Sequence, residues 1–167
     1  GCMAVCPEGA IGVATRELGV MEFGVSRGRI PCTTGRLRVG EAMSPPLMRV
    51  VRSHMRAEAR AKGLDVLVDA PPGVSCPAMS AVADSDVIVL VTEPTPFGFH
   101  DFKLACEAFA PYGKPMAVVI NRAGLGDDRV YGFCAARNLP IVAEIPYRRD
   151  IAEHYSKGLV LAEIDQG

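Results

Sequence analysis

The sequence lacks any long apolar stretch. Its strongly apolar runs, such as Val87–Val91, are of strand length, whereas a membrane-spanning helix needs about 18 such residues. The first residues, Gly1–Cys6, contain neither a basic segment nor an extended apolar one, so no secretory signal is visible there. These absences exclude a membrane span and leave a chain of ordinary globular composition, 49% hydrophobic and 22% charged.

Paired cysteine motifs are also missing. The chain has six cysteines, but none is arranged as C-x-x-C, and no histidine lies at zinc-ligand spacing from one. Zinc is therefore not expected, and the free cysteines indicate a reducing, cytoplasmic compartment. Cys76, Cys106 and Cys134 lie among small apolar residues, which predicts that they fill the core.

Charge is unevenly distributed along a chain whose net charge is −1. Residues 16–62 contain ten Lys/Arg against four Asp/Glu, whereas residues 63–167 contain eight against fourteen. Few aromatic residues interrupt the basic block, so we interpret it as a solvated face and do not expect nucleic-acid binding.

The pattern divides the chain into three parts: residues 1–12, a β-rich connector over 13–46, and a third part over 47–167. Hairpin-like strands are predicted over Val13–Leu18 and Val20–Val25, and a further short strand through Leu37 and Val39. A helix is predicted from Leu47 to Lys62, ending at Gly63.

The third part then alternates apolar strands with helices. This alternation predicts an α/β domain with a mostly parallel sheet and helices on both faces, and ligands at the carboxyl ends of its strands. The predicted strands are Leu64–Ala70, Val87–Val91, Met116–Ile120 and Ile141–Ile145. The predicted helices are Pro77–Ala83, Gly98–Ala110, Asp127–Asn138 and Ile151–Lys157.

Polar residues and prolines follow these strands in a fixed succession. Asp69 ends the first strand before Pro71-Pro72-Gly73, where a carboxylate either holds Mg²⁺ through water or caps a turn. Asn121 ends the third strand, and its amide offers a donor and an acceptor that suit a purine edge. The second strand ends in T-E-P and the fourth at Pro146.

These motifs together resemble those of a known family. Residues 64–158 resemble the C-terminal half of MinD/ParA-type P-loop ATPases, the group that includes the nitrogenase iron protein. The N-terminal C-x-x-x-C-P segment resembles the end of a bacterial ferredoxin motif. The combination is similar to MinD-superfamily ATPases that carry an inserted ferredoxin domain.

The resemblance implies roles for individual residues. Asp69 matches the Asp associated with Mg²⁺, and Gly73 matches the glycine of the loop that senses the γ-phosphate. Asn121 matches the adenine-recognising Asn, with Arg122 beside it and Pro146 in the segment lining the base. In the ferredoxin part, Cys2 and Cys6 match the last two ligands of a 4Fe-4S motif. The implied partners are ATP with Mg²⁺, a second copy in a homodimer, and a redox or iron–sulfur protein.

The sequence departs from the family pattern because it has no G-K-[ST] phosphate loop and only two of the cluster cysteines. We expect these elements to lie upstream of Gly1, which leaves an uncovered sheet edge and an inactive fragment. The leading hypothesis is an ATPase whose nucleotide state is coupled to a redox, cluster-related or positional output. The alternatives are a non-catalytic electron-transfer or interaction module, and an ATP-dependent relative of cobyrinic-acid synthase.

Overall fold

A computed structural model describes residues 1–26 and 30–159. The chain forms two compact units, one over Gly1–Val68 and one beginning at Asp69. In the part of the chain that the structure describes, no helix combines the length and the apolarity needed to cross a bilayer. The functional division into three parts stays a prediction.

The first unit contains an antiparallel hairpin. Strand β1 (Gly19–Val25) pairs with β2 (Pro31–Leu37), so that Gly19 lies opposite Leu37. The predicted hairpin is present, but its second strand is residues 31–37. The prediction of a strand over Val13–Leu18 is wrong, because β1 uses its pairing groups on β2 and leaves that earlier segment outside the ladder.

Helix α1 (Pro45–Lys62) packs on this hairpin and confirms the predicted helix to within two residues. It ends as the sequence predicts: Gly63 takes a left-handed conformation (φ 63°), and its N–H donates to the carbonyl of Ala59. On β2, Gly35 faces the helix, where an added Cβ would lie only 3.0 Å from a methyl group of Val51. The absence of a side chain at Gly35 therefore permits the close approach of helix and strand.

The predicted strand over Leu64–Ala70 is not formed. The segment is irregular and exposed, and the Leu67 side chain is 91% exposed. A strand exists only as part of a hydrogen-bonded ladder, and none of the described strands pairs with this segment. Its apolar sequence indicates a tendency to be buried, but the sequence pattern alone does not provide the neighbouring strand.

The second unit is built on a three-stranded parallel sheet in the order β3-β4-β5. Four helices accompany it, and all seven elements lie within a few residues of the predicted ones. The strands are β3 (Ile88–Thr92), β4 (Met116–Ala123) and β5 (Ile141–Pro146). The helices are α2 (Cys76–Ala83), α3 (Pro96–Phe109), α4 (Arg129–Ala136) and α5 (Arg149–Ser156).

The core of this unit lies on one face of the sheet. Val118 and Ile120 of β4 are fully buried there, and the neighbouring Leu90 is 7% exposed. They pack against apolar residues of α2, α3 and α4, including Phe102, Cys106, Val130 and Cys134. On the opposite face of the edge strand β3, Val89 and Val91 are 51% and 66% exposed.

The parallel α/β arrangement is thus confirmed, and α2, α3 and α4 contribute residues to the core on one face of the sheet. The strand order explains why. Right-handed crossovers between strands that follow one another in space place every connecting helix on the same side of the sheet. Covering the second face requires the strand order to reverse, and β3-β4-β5 does not reverse.

Two of the three cysteines predicted to fill the core do so. Cys106 and Cys134 are 2% and 1% exposed. The prediction for Cys76 is wrong, because its side chain is exposed at the first position of α2. Helix α2 buries Ala78 and Val82, and Cys76 lies about 200° around the helix from Ala78 at 3.6 residues per turn.

This arrangement predicts selective thiol modification. Burial raises the pKa of the Cys106 thiol to about 11, so at pH 8 it stays protonated as well as covered. Iodoacetamide at pH 8 should modify Cys76 at least about tenfold faster than Cys106, measured by peptide mass spectrometry. In denaturant the two rates should converge. Equal rates in the native protein would contradict the burial of Cys106.

Candidate functional site

The carboxyl ends of β3, β4 and β5 form one edge of the sheet in the second unit. In parallel α/β sheets this is the edge where ligands bind. The structure brings three of the predicted site residues together here. Asn121 and Arg122 end β4, and Pro146 ends β5 in register with Ala123.

The loop after β3 is held by hydrogen bonds to the start of α3. The Thr92 hydroxyl donates to the Gly98 carbonyl (3.1 Å), and the Gly98 N–H donates to the Thr95 hydroxyl (3.1 Å). Thr95 is therefore the N-cap of α3. An added Cβ at Gly98 would overlap the carbonyl oxygen of Glu93, so this closure requires glycine. The backbone that carries Glu93 is consequently fixed.

Arg122 forms a bulge near the end of β4. The pairing with β5 shifts register between Asn121 and Ala123, and Arg122 has a φ of 54°, a left-handed conformation uncommon for a residue with a side chain. The Arg122 N–H donates to Oδ1 of Asn121 at 3.0 Å. This bond orients the Asn121 amide, whose NH₂ group and second Oδ1 lone pair remain available for a ligand. Bulges of this kind often direct a side chain toward a site.

An ion pair connects the ends of β3 and β4. Nε of Arg122 lies 3.3 Å from Oε1 of Glu93, with the two side chains 53% and 33% exposed. An exposed pair of this type contributes little to stability, because water competes with both groups. The Arg122 guanidinium can therefore exchange Glu93 for an anionic ligand at small energetic cost.

Further backbone bonds connect the remaining loops. The Tyr147 N–H donates to the Ala123 carbonyl (3.0 Å), which fixes the chain after β5 to the end of β4. The Asp127 N–H donates to the Pro94 carbonyl (3.0 Å), which fixes the loop after β4 to the loop after β3. Asp127 also accepts from Arg129, and these hydrogen bonds lower the pKa of its carboxyl group. The three strand ends thus form one connected rim.

Asp69 and Gly73 lie in irregular chain before α2, and neither of them ends one of the three strands. Asp69 is exposed. Gly73 has a φ of 77°, and an added Cβ there would meet no atom within 4 Å. The strand that was predicted to carry Asp69 to the sheet edge is not formed. The roles of both residues therefore stay predictions.

The two N-terminal cysteines do not complete a cluster site. Cys2 begins a short 3-10 helix (Cys2–Val5), and Cys6 follows it. A 4Fe-4S cluster needs four thiolate ligands. Within residues 1–26 and 30–159, no group of three or more His, Cys, Asp or Glu side chains is placed to hold a metal ion. The described residues thus hold neither a complete cluster site nor a complete Mg²⁺ site.

Sequence reasoning missed the residues that assemble the rim. The pairing of Glu93 with Arg122 joins positions 29 residues apart, and no local pattern indicates it. The capping role of Thr95 could have been found, because Thr followed by Pro96 is a recognisable helix start.

The contact between the two loops predicts that two similar glycines differ in importance. Gly126 and Gly124 have nearly equal φ values, 90° and 89°, but an added Cβ overlaps the Pro94 carbonyl only at Gly126. Both alanine variants incur backbone strain of about 1 kcal/mol, and Gly126→Ala should lose at least about 2 kcal/mol more. Urea unfolding measures the difference. Equal losses would show that the two loops do not touch.

Comparison with protein-family models finds no match, and no solved structure matches the chain. Two proteins of Methanocaldococcus jannaschii are similar to it. The uncharacterized protein MJ0579 is 34% identical over 93 residues, which cover 55% of this chain and 31% of that protein. The uncharacterized protein MJ0578 is 28% identical over 116 residues, which cover 70% of this chain and 41% of that protein. The chain thus matches less than half the length of either relative.

Proposed function

We propose that the rim formed by the ends of β3, β4 and β5 binds the base of an adenine nucleotide. The observation that carries this proposal is the Asn121 amide, half-buried at the bulge and oriented by the Arg122 N–H. An amide so held presents an NH₂ donor and an oxygen acceptor side by side. Adenine offers the complementary pair on one edge, the N7 acceptor and the N6 amino donor.

The surroundings of Asn121 support the same ligand class. Pro146 and Ala123 lie beside it in the β4–β5 pairing and offer apolar surface to the face of a planar ring. Arg122 supplies a positive charge that is paired with the partly exposed carboxylate of Glu93. A nucleotide would add phosphate groups, which guanidinium binds through strong, charge-assisted hydrogen bonds.

In the full proposal the protein is part of a MinD/ParA-like ATPase. Asp69 would hold Mg²⁺ through water, Gly73 would lie near the γ-phosphate, and Cys2 and Cys6 would contribute to a 4Fe-4S cluster. The intact protein would act as a homodimer that transmits nucleotide state to a redox or iron–sulfur partner. The described residues complete neither inorganic site, so no reaction step is assigned to the metal ion or the cluster.

A second candidate is a non-catalytic electron-transfer or interaction module on the same scaffold. It is favoured by the exposure of Asp69 in irregular chain, where the predicted strand is not formed. The two candidates differ in chemistry: the ATPase requires Asp69 for turnover, whereas the module requires neither Asp69 nor a nucleotide.

Base recognition can be measured on residues 1–167 directly. In an NMR titration, adenosine, ADP and ATP should each shift the Asn121 side-chain NH₂ resonances, because the base is common to all three. Asn121→Ala should weaken binding of all three ligands by about 1–3 kcal/mol, the cost of losing a paired polar contact.

Asn138 provides the matched control for this titration. It also has a positive φ (53°), but it precedes β5 and so lies at the opposite edge of the sheet. Asn138→Gly removes an amide and keeps the left-handed backbone, so nucleotide affinity should be unchanged. Equal affinity of Asn121→Ala and the parent protein would remove Asn121 from the site.

The ATPase proposal is tested at Asp69, in a form of the protein that carries a phosphate-binding loop. Asp69→Asn keeps the shape of the side chain and removes its negative charge. Mg²⁺-dependent phosphate release should fall by at least about a hundredfold while nucleotide affinity changes little, because metal stabilisation grows in the transition state. Unchanged release would make Asp69 a turn residue and favour the non-catalytic module.

A further inference from the structure

The first unit contains a shallow groove between α1 and the edge of β1. Its floor is formed by apolar side chains, Met21 from β1 and Pro46, Val50 and Ala57 from α1. Val50 is 55% exposed, so the floor is open to solvent. The groove lies within the first unit, whereas Asn121 belongs to the second.

An aromatic pair lies beside the groove, and His54 of this pair is one of the lining residues. The Phe23 ring of β1 meets the His54 ring of α1 edge to face, with centroids 4.6 Å apart. Phe23 nevertheless remains 59% exposed. This edge-to-face contact joins β1 to α1 beside the groove.

Arg49 lines the groove and begins a row of arginines on α1. Arg49, Arg56 and Arg60 follow one another at helical spacing and lie next to the apolar row of Val50 and Ala57. Over its full length α1 contains five Lys/Arg and one Glu, a balance of +4. Burial and the charge of Arg56 lower the pKa of Arg52, which indicates that like charges are crowded on this helix.

The unit also buries very little of its own apolar surface. Among described residues 1–26 and 30–68, only Ala59 is less than 9% exposed. A two-stranded hairpin with one helix is marginal without further packing. The groove therefore has both an unsatisfied apolar floor and a positive side.

We propose that this groove binds an amphipathic helix of a partner protein whose apolar stripe is bordered by Asp and Glu. In α1, Pro46, Val50, Ser53 and Ala57 recur at spacings of four and three residues, the spacing that a helix needs to pack against another helix. The arginines on one border then select acidic flanking residues, as charged flanks do in paired helices. Single-stranded nucleic acid fits less well, because its bases stack on free faces of aromatic rings. The rings of Phe23 and His54 beside this groove instead pack against each other.

The proposal is tested with designed peptides on the whole chain. The probe is an 18-residue helix with Leu at positions spaced i, i+3, i+4 and i+7 and Glu on both flanks, and its twin has Lys in place of Glu. The acidic peptide should shift the methyl resonances of Met21 and Val50 and bind at least about tenfold more tightly than the twin, with an affinity that falls as salt rises.

Three variants locate the binding. Val50→Asp places a charge on the exposed floor and should abolish binding of the acidic peptide. Arg49→Glu should weaken that peptide about tenfold and strengthen its Lys twin. Arg38→Glu, an exposed residue just after β2 with the same charge change, is the matched control and should alter affinity less than twofold. Circular dichroism establishes that each variant keeps its helix content. The reversed preference of Arg49→Glu for the Lys peptide tests the proposal even when Val50→Asp does not fold.

The remaining outcomes overturn the proposal. Equal affinity for the two peptides would show that the arginines do not select the partner. Methyl shifts confined to the second unit would show that the groove is not the binding site. The absence of measurable binding by the acidic peptide would also overturn the proposal. Tighter binding of a 20-nucleotide single strand or of phosphatidylglycerol vesicles at the same methyl groups would assign the face to a different class of partner.

Discussion

The second unit depends on the central position of β4. Its main chain pairs with β3 on one side and β5 on the other, and Val118 and Ile120 are the side chains on which three helices converge. Because both neighbours hydrogen-bond to the same strand, the end of β4 fixes where the other two strands end. The bulge at Arg122 shifts the register of β4 against β5, whereas the pairing of β4 with β3 stays regular up to Ile120.

The rim shows how a parallel sheet positions polar groups without burying them. Backbone hydrogen bonds from Asp127 to Pro94 and from Tyr147 to Ala123 hold the loops after the strands in place. The ion pair of Glu93 and Arg122 is partly exposed, so a ligand can replace either partner. Rigid backbone with exchangeable side-chain partners suits the binding of a polar ligand, because little structure has to be rebuilt when the ligand arrives. This property supports the nucleotide site that we propose around the Asn121 amide.

The two units also differ in how completely they bury apolar surface. The second has a continuous core beneath its sheet, whereas the first has little buried surface and a basic helix beside an open groove. Exposed apolar surface with one sign of charge at its border favours association with a complementary surface. The proposed roles therefore separate, with ligand binding in the second unit and partner binding in the first.

Local signals in the sequence predicted the individual elements well. The period of apolar residues placed α1 and the βα elements of the second unit, and Gly63 ended α1 as its backbone freedom requires. The strand-end rule placed Asn121 and Pro146 on one edge. These properties depend on residues close together in the chain, and the sequence by itself determined them.

The tertiary structure decided the features that depend on contacts between residues far apart in the sequence. The apolar segment over Leu64–Ala70 forms no strand, because a ladder needs a neighbour and none of the described strands provides one. The connecting helices α3 and α4 lie on one face because the strand order does not reverse, and a list of elements does not contain that order. Cys76 is exposed while Cys106 is buried, although both lie among small apolar residues, because helix rotation against the sheet sets which side is covered. Pairing, strand order and helix rotation join residues far apart in sequence, so composition and periodicity do not determine them.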